Sequence, residues 1–99
     1  MSSLQKILDI QYVKMENEHI ADILEIERDS YGYPWSEKIF LDCITHNYHC
    51  KVLLLDEILV GYVITSLVQN ECHIMNLCIK KNYRSHGYGK YLLNELHKE

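Results

Sequence analysis

Proline is almost absent from this sequence: Pro34 is the only one in 99 residues, and no Ser/Gly-rich stretch accompanies it. No linker or domain boundary is therefore expected, and no internal repeat is visible. Long apolar runs are missing too. None approaches the ~18–20 residues that a membrane helix requires. Met1 to Gln11 lacks the apolar core and cleavage site of a signal peptide. Basic clusters are equally scarce, with none longer than Lys80-Lys81 and a net charge of −4. Phosphate neutralisation needs clustered Lys and Arg, which argues against a wide nucleic-acid footprint. The four cysteines, Cys43, Cys50, Cys72 and Cys78, lack the spacing of a disulfide framework. They read as reduced, packed thiols of a cytoplasmic protein.

What is present suits one small globular domain over residues 1–99. Hydrophobic residues make up 47% and charged ones 24%, too apolar for disorder. A chain of this size buries roughly 60–65% of its unfolded surface, enough for one core. Ile7 to Lys14 predicts a first strand, with Leu8, Ile10 and Tyr12 alternating against polar neighbours. Asn17 is the expected cap of a helix over 18–30, whose Ile20, Ile23, Leu24 and Ile26 follow helical spacing. Gly32 after Tyr31 is the expected stop. Tyr33-Pro34-Trp35-Ser36 reads as a turn in which Ser36 caps a second helix to residue 45. Tyr48–Leu55, Ile58–Val68 and Glu71–Ile79 are then rich in Val, Ile, Leu and Tyr. Asp56-Glu57 and Gln69-Asn70 separate them, the pattern of an antiparallel meander. A last helix is expected from Gly87, with Tyr88, Leu92, Leu93 and Leu96 facing inward. The order strand-helix-helix-strand-strand-strand-helix makes an α+β protein with a mostly antiparallel sheet.

The stretch Arg84-Ser85-His86-Gly87-Tyr88-Gly89-Lys90 carries the chemistry. A strand entering a helix through a glycine-rich turn presents free amides, which the helix dipole makes attractive to an anion. Glycine lets a phosphate approach the main chain, and Arg84 and Lys90 add charge beside it. The spacing fits neither the phosphate-loop motif nor the dinucleotide fingerprint, because one residue separates the glycines and position 92 is Leu. A plain strand-to-helix turn remains the alternative. Cys43, His46, His49 and Cys50 have zinc-ligand types, but the change of period near Tyr48 separates His49 from Cys50, so no metal is expected. Glu16, Glu18, Asp22, Glu25, Glu27 and Asp29 read as the solvated face of the first helix. Glu71 and His73 read as an exposed strand edge, or as stand-in bases.

Arg84 to Gly89 also resembles the Arg/Gln-x-x-Gly-x-Gly/Ala signature of the GNAT-family N-acetyltransferases. MNLCIKKNY (75–83) is similar to that family's fourth strand and KYLLNEL (90–96) to the following helix. Tyr33-Pro34-Trp35-Ser36-Glu37-Lys38 resembles a turn of its RimI-type subfamily, which acetylates the N-terminal alanine of a ribosomal protein. Lys81 stands where the family usually has Pro.

The resemblance implies acetyl-CoA as co-substrate and a protein N-terminus as acceptor. The main chain of Leu77, Cys78 and Ile79 would pair with the pantetheine arm. The amides of Ser85, His86, Gly87, Tyr88, Gly89 and Lys90 would hold the pyrophosphate, with charge from Arg84 and Lys90. His86 could add charge there or face solvent. The thioester carbonyl would lie near the Leu77 main chain, and Tyr33, Pro34, Trp35 and Ser36 would line the acceptor groove. In that family the catalytic acid and base follow the glycine helix, so here they are expected beyond Glu99. A C-terminally truncated enzyme is the favoured explanation; completion by a partner chain or second copy, and acyl-CoA binding without turnover, are the others. An unpaired fourth strand would also favour self-association.

Overall fold

The computed structural model describes residues 9–46 and 48–99. Its elements are β1 (Ile10–Lys14), a 3-10 turn (Asn17–His19), α1 (Ile20–Ser30), α2 (Glu37–Thr45), β2 (His49–Leu55), β3 (Ile58–Val68), β4 (Glu71–Ile79), a second 3-10 turn (Lys81–Tyr83) and α3 (Tyr88–His97). The four strands form one sheet in the order β1-β2-β3-β4, antiparallel throughout. The α+β class and the element order are those expected.

Two-residue turns make the meander. Asp56 and Glu57 have φ of 49° and 69°, and Gln69 and Asn70 have 51° and 65°. Positive φ at both central residues matches the right-handed twist of the flanking strands, which is why such short turns close hairpins. β3 is the central strand of the core and is buried from Leu59 to Thr65. One face of the sheet packs Val52, Leu59, Tyr62, Ile64 and Cys78 against Ile20, Ile23 and Ile26 of α1 and Phe40 and Cys43 of α2. The other packs Leu53, Leu55, Val60, Val63 and Ile79 against Leu92 of α3. Each helix therefore meets the sheet through the apolar stripe that its spacing predicts. Leu93 and Leu96 are only half-buried.

Several local expectations are corrected. The predicted first strand began at Ile7, but residues 7 and 8 lie outside the described residues, and the described strand starts at Ile10. Asn17 opens a 3-10 turn instead of capping α1; Glu16 precedes that turn, and its N–H donates to His19 Nδ1 at 2.9 Å. Gly32 does not adopt a left-handed conformation. α1 ends because Tyr31 turns extended, with φ −128° and ψ 142°, while its N–H still reaches the Glu27 carbonyl. β2 begins at His49, one residue after Tyr48. Ser36 does cap α2, its Oγ accepting from the Ile39 N–H at 3.4 Å.

β4 is irregular at one point. Ile64 faces Asn76 and Thr65 faces Ile74, so Met75 has no opposite residue and forms a bulge. The strand's first half, Glu71–Met75, is exposed, whereas Asn76, Cys78 and Ile79 are buried.

Candidate functional site

The glycine turn is held from below. Lys80 N–H donates to the Val60 carbonyl at 2.7 Å, closing the β3–β4 ladder. Arg84 then folds back on the strand: Nε donates to the Ile79 carbonyl at 2.9 Å and Nη2 to Ser30 Oγ at 2.8 Å. Two of the five guanidinium N–H groups are thereby used for scaffolding. Ser85 has φ 66° and Gly87 has φ 86°, both in the left-handed region. At Gly87 the absence of a Cβ lets the chain adopt this conformation without the strain that an L side chain would add. The first α3 bond runs from Tyr91 N–H to the Gly87 carbonyl at 2.9 Å. Among the described residues, no acceptor meets the amides from Ser85 to Lys90. His86 Nδ1 contacts the Arg84 carbonyl at 2.7 Å and its ring stacks near Tyr88. Lys90 is exposed.

The outer edge of β4 continues from this turn. An antiparallel ladder points successive main-chain groups alternately toward and away from the neighbouring strand. The Leu77 carbonyl accepts from Tyr31 Oη at 3.2 Å and the Ile79 carbonyl from Arg84, so these two residues face outward. Cys78, opposite Tyr62, faces β3. Its buried thiol lies 3.1 Å from Ser30 Oγ and packs in the core. Burial, with Cys78 next, raises the Tyr31 phenol above its ordinary pKa.

Beside this edge is a cleft of about 430 Å³ lined by Glu27, Tyr31, Tyr33, Trp35, Ile74, Met75, Asn76 and Leu77. The Tyr33–Ser36 turn forms one wall. Tyr33 is 97% exposed, and Pro34 and Ser36 are exposed as well. Trp35 is half-buried with its ring 5.3 Å from that of Phe40. The bulged end of β4 forms the opposite wall. Of the expected residues, Tyr33 and Trp35 of the turn and Leu77 of the strand line this cleft, whereas Pro34, Ser36, Cys78 and Ile79 do not.

Glu27 corrects the reading of the acidic face. The other five carboxylates are exposed, but Glu27 is 1% exposed. Its Oε1 accepts from Tyr62 Oη at 2.5 Å and Asn76 Nδ2 at 3.0 Å, and its Oε2 from the Trp35 N–H at 2.9 Å. Burial and then the Glu27 bond push the Tyr62 phenol far above its ordinary pKa, keeping it a donor. The signal was in the sequence: Ile20, Ile23, Leu24 and residue 27 are i, i+3, i+4 and i+7 of one stripe. Glu71 and His73 are exposed, 3.7 Å apart. Among the described residues no three His, Cys, Asp or Glu side chains converge as metal ligands. No described helix is long and apolar enough to cross a membrane.

The sequence pattern of the acetyltransferase (GNAT) family matches residues 20–99. The ribosomal protein bS18-alanine N-acetyltransferase of Salmonella typhimurium is 29% identical over 72 residues, covering 73% of this chain and 49% of that one. A putative enzyme of the same name from Bacillus subtilis is 32% identical over 80 residues, covering 79% and 53%. The chain spans about half the length of these curated relatives. The crystal structure of the ribosomal-protein-S18-alanine N-acetyltransferase from Escherichia coli superposes with a TM-score of 0.80 at 25% identity, covering 89% of this chain and 57% of that one. The PaiA N-acetyltransferase of Thermoplasma acidophilum, in complex with coenzyme A, has the same fold: TM-score 0.81, 20% identity, and coverage of 91% and 70%.

Proposed function

Because the chain belongs to the acetyltransferase (GNAT) family, we propose that it holds acetyl-CoA on the outer edge of β4 and the glycine turn, as the donor site of an N-acetyltransferase. The observation that carries this reading is the run of unpaired amides from Ser85 to Lys90 at the start of α3, continuous with the open edge of β4. Such amides suit a pyrophosphate, and Gly87 and Gly89 let it approach. Lys90 adds charge directly. Arg84 acts first by bracing the turn, with its remaining N–H groups available to phosphate.

The outward-facing main chains of Leu77 and Ile79 suit the amides of a pantetheine arm, which would add to the sheet as an extended strand. Cys78 contributes packing there, since its main chain faces β3. Leu77 N–H, on the same outward side, is the candidate donor to the oxyanion that forms when an amine attacks a thioester. The acceptor amine enters between Tyr33–Ser36 and the bulge. We assign it to a protein N-terminus, with an N-terminal alanine as in the relatives' printed names, on the strength of that turn and of 27–32% identity. The amine must lose a proton and the leaving thiolate must gain one; no residue described here is assigned to either step.

A second reading, donor binding without turnover, is favoured by one observation. Glu27, the buried carboxylate of the cleft, is already committed to three donors. Calorimetry with CoA tests the donor site, with one molecule bound per chain as the expected result. No binding at millimolar CoA sinks both readings, and transfer to an Ala-initiated peptide decides between them.

A further inference from the structure

Glu27 is an expensive residue to bury. A carboxylate taken out of water requires compensation, and among the described residues no Lys, Arg or His pairs with it. Three neutral donors hold it instead, and each comes from a different part of the cleft. Tyr62 is in the middle of β3. Asn76 follows the bulge at Met75, one residue before Leu77. Trp35 belongs to the exposed turn on the other wall. An apolar side chain in this place would serve stability at least as well. The arrangement is better explained by what it connects.

We propose that Glu27 is a positioning residue that ties the acceptor turn to the donor strand, so that occupancy of the β4 edge is transmitted to Trp35. The proposal rests on the donor and acceptor assignments made above. Its physical basis is the polarity of the cluster. Tyr62 Oη, Asn76 Nδ2 and Trp35 N all donate, and a carboxylate can accept all three, using three of its roughly four acceptor sites. Oε1 links the two strands, and Oε2 alone reaches the turn. A donor molecule paired along Leu77 pulls on the segment that carries Asn76, and Glu27 passes the displacement to the Trp35 main chain. The bulge helps, because Met75 is free of a cross-strand partner and the strand can adjust there without breaking its ladder.

Trp35 is the only tryptophan in the chain, so its fluorescence reports the turn directly. The test follows emission and acrylamide quenching with and without CoA, alongside calorimetry, in the wild type and three variants. In Glu27→Gln the new amide sets an N–H against one of the three donors, with the Trp35 bond the most exposed to loss. Its free form should show red-shifted, more readily quenched Trp35 and no further response to CoA. Asn76→Leu cuts only the link to β4. Its free form should resemble the wild type, while the response to CoA is lost. Tyr62→Phe leaves both links in place and should keep the response.

A purely structural Glu27 would lower the melting temperature without this separation of signatures. Wild-type Trp35 shielding in free Glu27→Gln overturns the positioning role. A full CoA response in Asn76→Leu, or none in a wild type that binds CoA, overturns the coupling. Should Glu27→Gln fail to fold, Asn76→Leu and Tyr62→Phe still decide the coupling. Absence of CoA binding by calorimetry is a separate result: it removes the donor reading, and the coupling with it.

Discussion

The two faces of the sheet are held together by different means. Under α1 and α2 the core contains Glu27, which accepts from Tyr62, from Asn76 and from the Trp35 N–H of the turn. Under α3 it is aliphatic: Leu53, Leu55, Val60, Val63, Ile79 and Leu92, with tyrosines at its rim. Apolar packing is nondirectional and tolerates small displacements, whereas a hydrogen-bonded cluster fixes distances and angles. The contrast follows the chemistry assigned to each side. On the α3 side the proposed ligand contacts are main-chain amides, whose geometry the turn itself sets. On the α1/α2 side a cleft wall made by a loop must be held against a strand, and side chains do that work.

The α3 side depends on very few residues, which makes it the more fragile. Leu92 is the only buried residue of α3 and is fully enclosed. Leu92→Ala should destabilise the protein by about 3 kcal/mol, through lost transfer energy and the cavity left behind. CoA binding should fall with it, because the glycine turn is the first turn of the same helix. Urea denaturation and calorimetry measure both; a loss below about 1 kcal/mol would mean that α3 is anchored by its half-buried rim instead.

Gly61 sharpens the same comparison at the strand level. A Cβ there would lie 2.6 Å from Ile79 Cδ1 and 3.0 Å from the Cys78 carbonyl. The side-chain methyl can rotate away, but the carbonyl is main chain, so β4 itself must shift. Gly61→Ala should cost roughly 1–3 kcal/mol as overpacking does. The shift falls on the segment whose outer edge carries Leu77 and Ile79. Thermal melts should therefore show a loss of stability, with CoA affinity reduced in the protein that remains folded.

The second hairpin was legible to the residue, and the first to within one residue at the start of β2, because turn chemistry and β-branched runs agree. Ile58–Val68 and Glu71–Ile79 have the predicted bounds, and Ser36 caps α2 as its hydroxyl suggests. The bulge at Met75 was not legible, since nothing in Ile74-Met75-Asn76 marks a residue left without a partner. Glu27 was missed for another reason. The apolar spacing of α1 ends at Ile26, although position 27 continues the same stripe, and a charged side chain on a buried stripe is a departure from pattern that implies a buried partner. The fold-back of Arg84 was not legible, because sequence reveals the guanidinium but not the carbonyl it bends back to meet. Asn17 and Gly32 have the right chemistry for caps, yet Asn17 lies in a 3-10 turn and α1 ends through an extended Tyr31 with Gly32 outside the left-handed region.

The smallest effect concerns the two glycines of the turn, which separate a phosphate cradle from a simple joint. Gly87 has φ 86°, so Gly87→Ala should cost about 1 kcal/mol from backbone conformation alone, whichever role the turn plays. Gly89 differs. It lies inside α3, and a Cβ there would meet only Ile79 Cγ1, at an ordinary 3.9 Å. Alanine is the better helix former by roughly 0.5–1 kcal/mol, so a mere joint would gain stability from Gly89→Ala and lose nothing. Helical Cβ atoms tilt toward the helix N-terminus, which here means toward the free amides of Ser85 to Lys90. In a cradle the added methyl group would therefore hold a pyrophosphate off the main chain. The expected result is a melting temperature equal to or above that of the wild type, with CoA affinity lowered. Unchanged affinity in the stabilised variant would return this turn to the role of a connector.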